Sequence, residues 1–431
     1  MKNKFERFLL LVKNFGFFYA LKELIKWVYK KISGRDFLYF RRLDSKDLSY
    51  KEQISISLNP FAKQWFYLNE KKSFFSNKKL PIKRVLIIAD LNIAQCNIYR
   101  VDGLIQYLNS YGIRAEKSFF LDLERIRKYL NSSCAVIFYR VPLRDELLDI
   151  IYECKRANIR MIYDIDDPVF SFTTYSDYEN LKYVNTNSSK HILEGAPKYF
   201  AMMSFCDFLI TSTPQLSMLA KKYFPNKTVF TRRNYIDQSR IMPINELERE
   251  HEEVKLISIT SGSIGHEDDF KMIQPALENV LKKNEKIKLL MLGKFKKSLF
   301  SGIINDRIEE HIPFQDYDDY IKSLSKTDLS LIPIKKSDFN ECKSIVRLLD
   351  CCNAGVPAIT SDIGDYNATH ETTPCFEVSK DDHWEEKIST LIDNKELRDY
   401  YRETSREFLE SISSGRNTYI APEEFTEKII L

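Results

Sequence analysis

Continuous apolar, β-branched runs alternate with amphipathic stretches along this chain, and the alternation occurs twice, with a polar interruption between the two series. That pattern predicts an α/β fold, because strands buried on both faces read as unbroken apolar runs and a helix between consecutive strands makes them parallel. Two series predict two doubly wound parallel-sheet domains, and 431 residues exceed the usual span of one. With 44% hydrophobic and 29% charged residues the composition is that of a globular protein. Open sheets of this kind bind ligands beyond the carboxyl ends of their strands, so functional residues are sought in the loops that follow them.

Residues 1–80 precede both series and read as a helical extension ending in a turn-like stretch at 77–81. Its first 42 residues hold eleven Lys or Arg against three Asp or Glu, interleaved with Phe5, Phe8, Phe15, Trp27 and Tyr29. A basic aromatic helix can lie on an anionic membrane surface, where each basic residue adds about 1 kcal/mol; alternatively its rings pack on the domain that follows. The longest apolar run, 8–12, is too short to span a bilayer, and no small-residue cleavage site follows it. The expected location is therefore cytoplasmic, peripheral at the inner face of the cell membrane. The eight cysteines lack metal spacing and lie mostly in apolar runs, as reduced thiols do. A net charge of only +4 argues against a dedicated nucleic-acid binder.

The first domain is expected over 81–240, with strands at 83–89, 114–120, 135–140, 160–163, 208–211 and 229–231 and helices at 98–111, 144–157 and 192–205. A charged linker follows, and the second domain is expected over 254–395. Its strands are read at 254–259, 287–292, 329–334, 356–361 and 375–378, and its helices at 269–282 and 317–324. Residues 396–431 form a helical tail in this reading.

The second domain contains the most informative stretch, 337–364. Ile345, Leu348, Leu349 and Cys352 recur at helical spacing, which predicts a helix starting near Cys342 and stopping at Gly355, with Pro357 beyond. Lys343 and Ser344 then fall at a helix start, where free N–H groups and the dipole favour an anion. Arg347, four residues after Lys343, shares its face, and two such charges suit a diphosphate. A second loop, 260–266, joins a strand to a helix through Gly262 and Ser263, small enough for backbone N–H groups to approach an anion, and ends at His266. The turn 362–366 also follows a strand and either offers backbone groups to a base or caps a helix.

In the first domain Asp164, Asp166 and Asp167 crowd the end of a strand, an arrangement seldom kept without partners. The three could form a D-x-D metal site, or Asp166 and Asp167 could cap the turn before Pro168. Gln95, Tyr99 and Arg100 follow the first strand, and Arg140 ends the third. No nucleophile elbow, P-loop, dinucleotide fingerprint or zinc spacing is present.

Taken with its spacing, the run N-x-x-K-S-x-x-x-x-L-D-x-x-x-x-G-V-P over 340–357 resembles the donor-site segment of GT-B glycosyltransferases of the family 4 type, in particular those that build bacterial surface polysaccharides such as O-antigen and capsule. The resemblance implies two Rossmann-like lobes facing a cleft, with Lys343, Ser344 and Arg347 at the donor diphosphate and Asp350 on the nucleotide ribose. Gly262 and Ser263 become a second phosphate contact and His266 a sugar or phosphate ligand. Similar D-I-D-D and Q-C-x-x-Y-R segments imply acceptor orientation or proton removal by Asp166 and Asp167, and an Arg100 that reaches donor phosphate or acceptor across the cleft. The pattern departs from the family where Cys342 replaces the first Glu of an E-x7-E pair and Arg233 replaces a hinge Pro.

The activity so implied is transfer of a sugar from a nucleoside diphosphate sugar to a lipid-linked glycan, with retention, catalysed by Lys343, Asp166 and Asp167 without a cofactor or metal. A nucleotide-sugar epimerase, a polyol-phosphate transferase and an inactive scaffold of polysaccharide assembly are the alternatives on the same fold.

Overall fold

The computed structural model describes residues 84–92, 94–176, 186–243, 252–261, 266–293, 306–312, 316–373 and 375–413. The chain divides at Pro60, and every described residue belongs to the second unit, Phe61–Leu431. The basic extension 1–80 and the pair Gly262 and Ser263 lie outside the described residues.

Two six-stranded sheets form the frame, and every pairing in them is parallel. In the first lobe β1 (Arg84–Ala89), β2 (Arg114–Phe119), β3 (Ala135–Tyr139), β4 (Arg160–Ile165), β5 (Phe208–Thr211) and β6 (Thr228–Thr231) lie in the order 2-1-3-4-5-6. The second lobe holds β7 (Leu256–Ser261), β8 (Lys288–Gly293), β9 (Ile308–Ile312), β10 (Leu329–Ile332), β11 (Ala358–Ser361) and β12 (Glu377–Ser379), in the order 12-11-10-7-8-9. The central strands are buried throughout, as unbroken apolar runs such as Val85-Leu-Ile-Ile-Ala89 require.

The helices are α1 (Gly103–Ser110), α2 (Leu123–Leu130), α3 (Leu148–Arg156), α4 (Phe172–Ser176), α5 (Thr186–Phe205) and α6 (Pro214–Tyr223) in the first lobe. The second has α7 (Glu267–Lys283), α8 (Tyr317–Leu324), α9 (Asp338–Glu341), α10 (Val346–Asn353), α11 (Gly364–Thr372), α12 (Trp384–Asp393) and α13 (Lys395–Ile412). Local chemistry sets several of their ends. Thr213 caps α6 by accepting from Leu216 N–H, with Pro214 in the first turn. Gly355, at φ 65°, closes α10 as expected, and Val356 N–H reaches Cys351 O at 2.9 Å.

Three expectations change. The stretch read as one helix over 98–111 is a π-helical turn, Asn97–Asp102, leading into α1. The wider turn sends neighbouring residues to different partners, Tyr99 to the second lobe and Arg100 inward. The helix expected from Cys342 is broken: α9 ends at Glu341 and α10 begins only at Val346. Finally, α2, α4, α6 and β9 were not expected, and α11 is the helix that one of the two readings of the turn 362–366 allowed.

The lobes share apolar core at their base, where Ile98, Tyr99, Ile236, Ile241 and Met242 join Ile345, Leu348 and Leu349. Helix α13 adds Leu409 to this core, while Arg406 donates to Met242 O at 2.7 Å and Ser413 to Gln238 Oε1 at 2.7 Å. The tail thus fastens to the segment between the lobes. Among the described residues no helix is long and apolar enough to cross a membrane.

Candidate active site

Each sheet has one strand from which the chain proceeds both ways: β1 lies between β2 and β3, and β7 between β8 and β10. Loops leave such a switch point toward opposite faces and open a crevice at the carboxyl ends. The residues below cluster in and around those loops.

On the first lobe, β3 ends at Tyr139, and Arg140 follows in the left-handed region at φ 51°. A side chain there costs roughly 1–2 kcal/mol, and such strain concentrates at functional sites. Arg140 Nη1 donates to Asp166 Oδ1 and Asp167 Oδ2, each at 3.1 Å, while the Tyr139 hydroxyl donates to Asp166 Oδ2 at 2.8 Å. Burial pushes the Asp166 carboxyl up, but Arg140, Arg100 and Tyr139 outweigh it and hold the group below the ordinary range. Burial and the charge of Asp166 hold Asp167 above it, against Arg140 and Lys343. Asp164 is not part of the pair. It is 0% exposed and held between the guanidinium groups of Arg100 and Arg232, which rules out a D-x-D site of Asp164 with Asp166. Among the described residues no three His, Cys, Asp or Glu side chains converge to hold a metal.

Arg100 is a correction. At 1% exposure it does not reach across the crevice; it spends its donors on Asp164, Arg232 O and Asn234 Oδ1. Arg232 in turn donates to Tyr99 O at 3.2 Å and Arg100 O at 2.7 Å, so the pair fixes the π turn against the hinge.

On the second lobe, Lys343 and Ser344 occupy the turn between α9 and α10, just before the helix they were expected to open. Burial pushes the Lys343 ammonium down to about 8, with Asp269 and Asp167 supporting its charge and Arg347 opposing it. Arg347 donates to Thr260 O at 3.2 Å, which holds it against the end of β7. His266 Nδ1 lies 2.7 Å from Asp269 Oδ2. Burial, then Lys343, pushes the imidazole down to about 4, so it is neutral near pH 7. Burial raises Asp269, yet the His266 hydrogen bond and the neighbouring cations keep it low and ionised. An ionised carboxylate only accepts, so the imidazole proton sits on Nδ1 and Nε2 remains an acceptor. Asp269 Oδ1 also accepts from Lys335 N–H at 2.8 Å, tying the loop after β10 to the start of α7.

The lobes meet around this turn. Thr213 Oγ1 donates to Cys342 O at 3.0 Å, Asn234 Nδ2 to Ser344 Oγ at 2.8 Å, and Tyr175 stacks on Phe339 with centroids 5.1 Å apart. Arg233 Nη2 lies 3.1 Å from Asp365 Oδ1, so the turn after β11 serves the lobe contact and starts α11. Asp350, expected on a ribose, is the second correction. It is 0% exposed, with Gln95 Nε2 donating to Oδ2 at 2.8 Å and the Tyr99 hydroxyl to Oδ1. Both oxygens face first-lobe donors. The role of Asp269 was missed, although its H-x-x-D spacing was visible, and Arg140, singled out only as the residue ending the third strand, braces the carboxylate pair.

Residues 244–408 match the family described as Glycosyl transferases group 1. Anabaena HepE, crystallised in complex with UDP, is similar with a TM-score of 0.53 at 8% identity, over 78% of this chain and 98% of its own. WaaG, a glycosyltransferase involved in lipopolysaccharide biosynthesis, gives 0.51 at 12% identity over 81% and 99%. A glycosyltransferase from Rickettsia africae gives 0.50 at 12% identity over 81% and 99%. No curated protein matches the chain. The two-lobed fold is thus GT-B and the chain an enzyme, a glycosyltransferase. More particularly, the Lys343 cluster lies within the stretch 244–408 that matches the group 1 model, and the reaction is sugar transfer from a nucleotide sugar.

Proposed function

We propose that the chain moves a sugar from a nucleoside diphosphate sugar onto a lipid-linked acceptor of a bacterial surface polysaccharide, with retention of configuration. One observation carries the reading: Lys343, Arg347 and neutral His266 gather at the carboxyl end of the second sheet, facing a carboxylate pair at the end of the first. Negative charge builds on the leaving diphosphate, and fixed cations beside a helix start stabilise it more as the bond breaks than before. Lys343 and Arg347 supply that charge, with Ser344 and the backbone at Gly262 and Ser263 completing the phosphate contacts. Nε2 of His266, an acceptor, suits a sugar hydroxyl better than a phosphate.

Asp166 and Asp167 orient the acceptor hydroxyl from the other side. No metal takes part in this reading. Transfer proceeds by front-face attack assisted by the departing phosphate. The UDP complex of HepE supports a nucleoside diphosphate leaving group, and WaaG's role in lipopolysaccharide biosynthesis supports a surface glycan. The basic, aromatic sequence of residues 1–42 supports peripheral attachment to an anionic membrane, on the cytoplasmic side, where the chain would meet a lipid-linked acceptor.

Calorimetry and thermal shift with UDP, GDP and dTDP provide the test. A nucleotide at 100 times its dissociation constant should add about 2.7 kcal/mol of stability. Lys343→Ala should abolish most of that gain while leaving the unliganded protein folded. Failure of all three nucleotides to bind the wild-type chain would overturn the proposal.

A further inference from the structure

We propose that Arg140 and Tyr139 are positioning residues that together give the two cleft carboxylates different tasks, fixing Asp166 as a brace and leaving Asp167 to accept the hydrogen bond of the acceptor hydroxyl. This rests on the sugar-transfer reading and names the acceptor-side residue within it.

The two carboxylates are not equivalent. Asp166 has both oxygens committed, Oδ1 to Arg140 and Oδ2 to the Tyr139 hydroxyl, and its own carbonyl accepts from Ser212 Oγ at 2.9 Å. Asp167 gives Arg140 only Oδ2, and its Oδ1 accepts no hydrogen bond from the described residues. Side-chain exposure follows the same order, 12% for Asp166 and 27% for Asp167. The oxygen to which no described residue donates therefore belongs to the more open carboxylate, which is also the one close enough to feel the charge of Lys343 across the crevice. An acceptor hydroxyl bound there would lie between the first-lobe carboxylate and the donor-side cation.

Adjacent at the end of β3, Arg140 and Tyr139 create this difference together, Arg140 bridging the pair and Tyr139 holding the second oxygen of Asp166. The Arg140 N–H donates to Asp164 O at 3.0 Å, anchoring the residue to β4, and its left-handed backbone is retained where one guanidinium nitrogen spans both carboxylates. Several titratable groups surround the pair. Tyr139 and Arg140 come from the end of β3, Cys96 and Arg100 from the segment after β1, Tyr175 from α4, Tyr199 from α5 and Lys343 from the second lobe. Burial raises both carboxyls; Arg140, Arg100 and Tyr139 overcome it at Asp166, whereas burial and the charge of Asp166 leave Asp167 raised, in keeping with the geometry.

Carbon-13 NMR of protein labelled at the Asp Cγ tests the assignment, with Asp166→Asn and Asp167→Asn identifying the two signals. Asp167 should titrate at the higher pH, and Arg140→Gln should move both midpoints upward. Arg140→Lys, which keeps the charge, should return Asp166 most of the way. A reversed order, or an Asp166 midpoint unmoved in Arg140→Gln, would overturn the proposal. A kinetic arm measures nucleoside diphosphate release, with water as acceptor, from whichever of UDP-glucose, UDP-N-acetylglucosamine, GDP-mannose and dTDP-rhamnose the enzyme turns over fastest. Asp167→Asn should lower kcat on the order of 100-fold with little change in KM, and Asp166→Asn should lower it several-fold less. Equal losses would count against it. Nucleotide binding by the wild-type chain decides the sugar-transfer reading separately.

Discussion

Asp350 is a carboxylate that no solvent reaches, yet Gln95, Tyr99, Tyr317 and Tyr320 all turn a polar atom toward it. Burial pushes its carboxyl from the ordinary 3.8 up to about 7, and those hydrogen bonds limit the rise. Because the folded value lies above the unfolded one, its contribution to stability is complete below about pH 4 and is lost as pH rises through about 7. Denaturant unfolding should therefore show a loss on the order of 2–4 kcal/mol between about pH 5 and pH 8, and Asp350→Asn should remove that part of the slope. An equally steep slope in the variant would refute the assignment. His266 acts with the opposite sign: held down at about 4, it favours the folded chain above its ordinary 6.5, and that support is lost as pH falls through about 4.

Among the elements, the turn that opens α11 controls the placement of Lys343. Gly364 has φ 46°, and a Cβ there would sit 2.5 Å from the carbonyl oxygen of Glu341, the last residue of α9. Only glycine lets the two backbones approach this closely just before the 342–345 turn. Gly364→Ala should destabilise the protein by about 1–2 kcal/mol and weaken nucleoside diphosphate binding as the turn shifts; unchanged melting and unchanged affinity would show the contact to be incidental. The central strands were legible because burial on both faces leaves an unmistakable apolar run, whereas the edge strand β9, Ile-Glu-Glu-His-Ile, has no such run and went unread. Helix α2, Leu-Glu-Arg-Ile-Arg-Lys-Tyr-Leu, was not legible, since only Ile126 and Leu130 are buried on it. For α6 the signal was present in Thr213-Pro214 and went unread. Charge at a strand end singled out Asp166 and Asp167 and an expected helix start singled out Lys343, and the structure brings Lys343 close enough for Asp167 to feel its charge. The burial of Arg100 was not legible, because its partner Asp164 lies 64 positions away, and Asp350 finds Tyr99 at a distance of 251. Local spacing carries no record of such pairings.

For the whole molecule, the decisive fact is that the lobes are not independent bodies on a string. Ile98 and Tyr99 sit in the same apolar cluster as Leu348 and Leu349, and each fully buried aliphatic side chain of this kind contributes roughly 1.5–3 kcal/mol. Scanning calorimetry should accordingly give one unfolding transition for the described lobes, where a mere linker would allow two; two well-separated transitions would contradict the shared core. The same seam has a bearing on engineering. Halves of this enzyme are not interchangeable cassettes. A foreign donor half spliced in after residue 243 would arrive without a surface shaped for Ile98 and Tyr99, and the connecting carbonyl of Met242 would lose the grip of Arg406. A working chimera has to carry its side of the seam along with its catalytic loops.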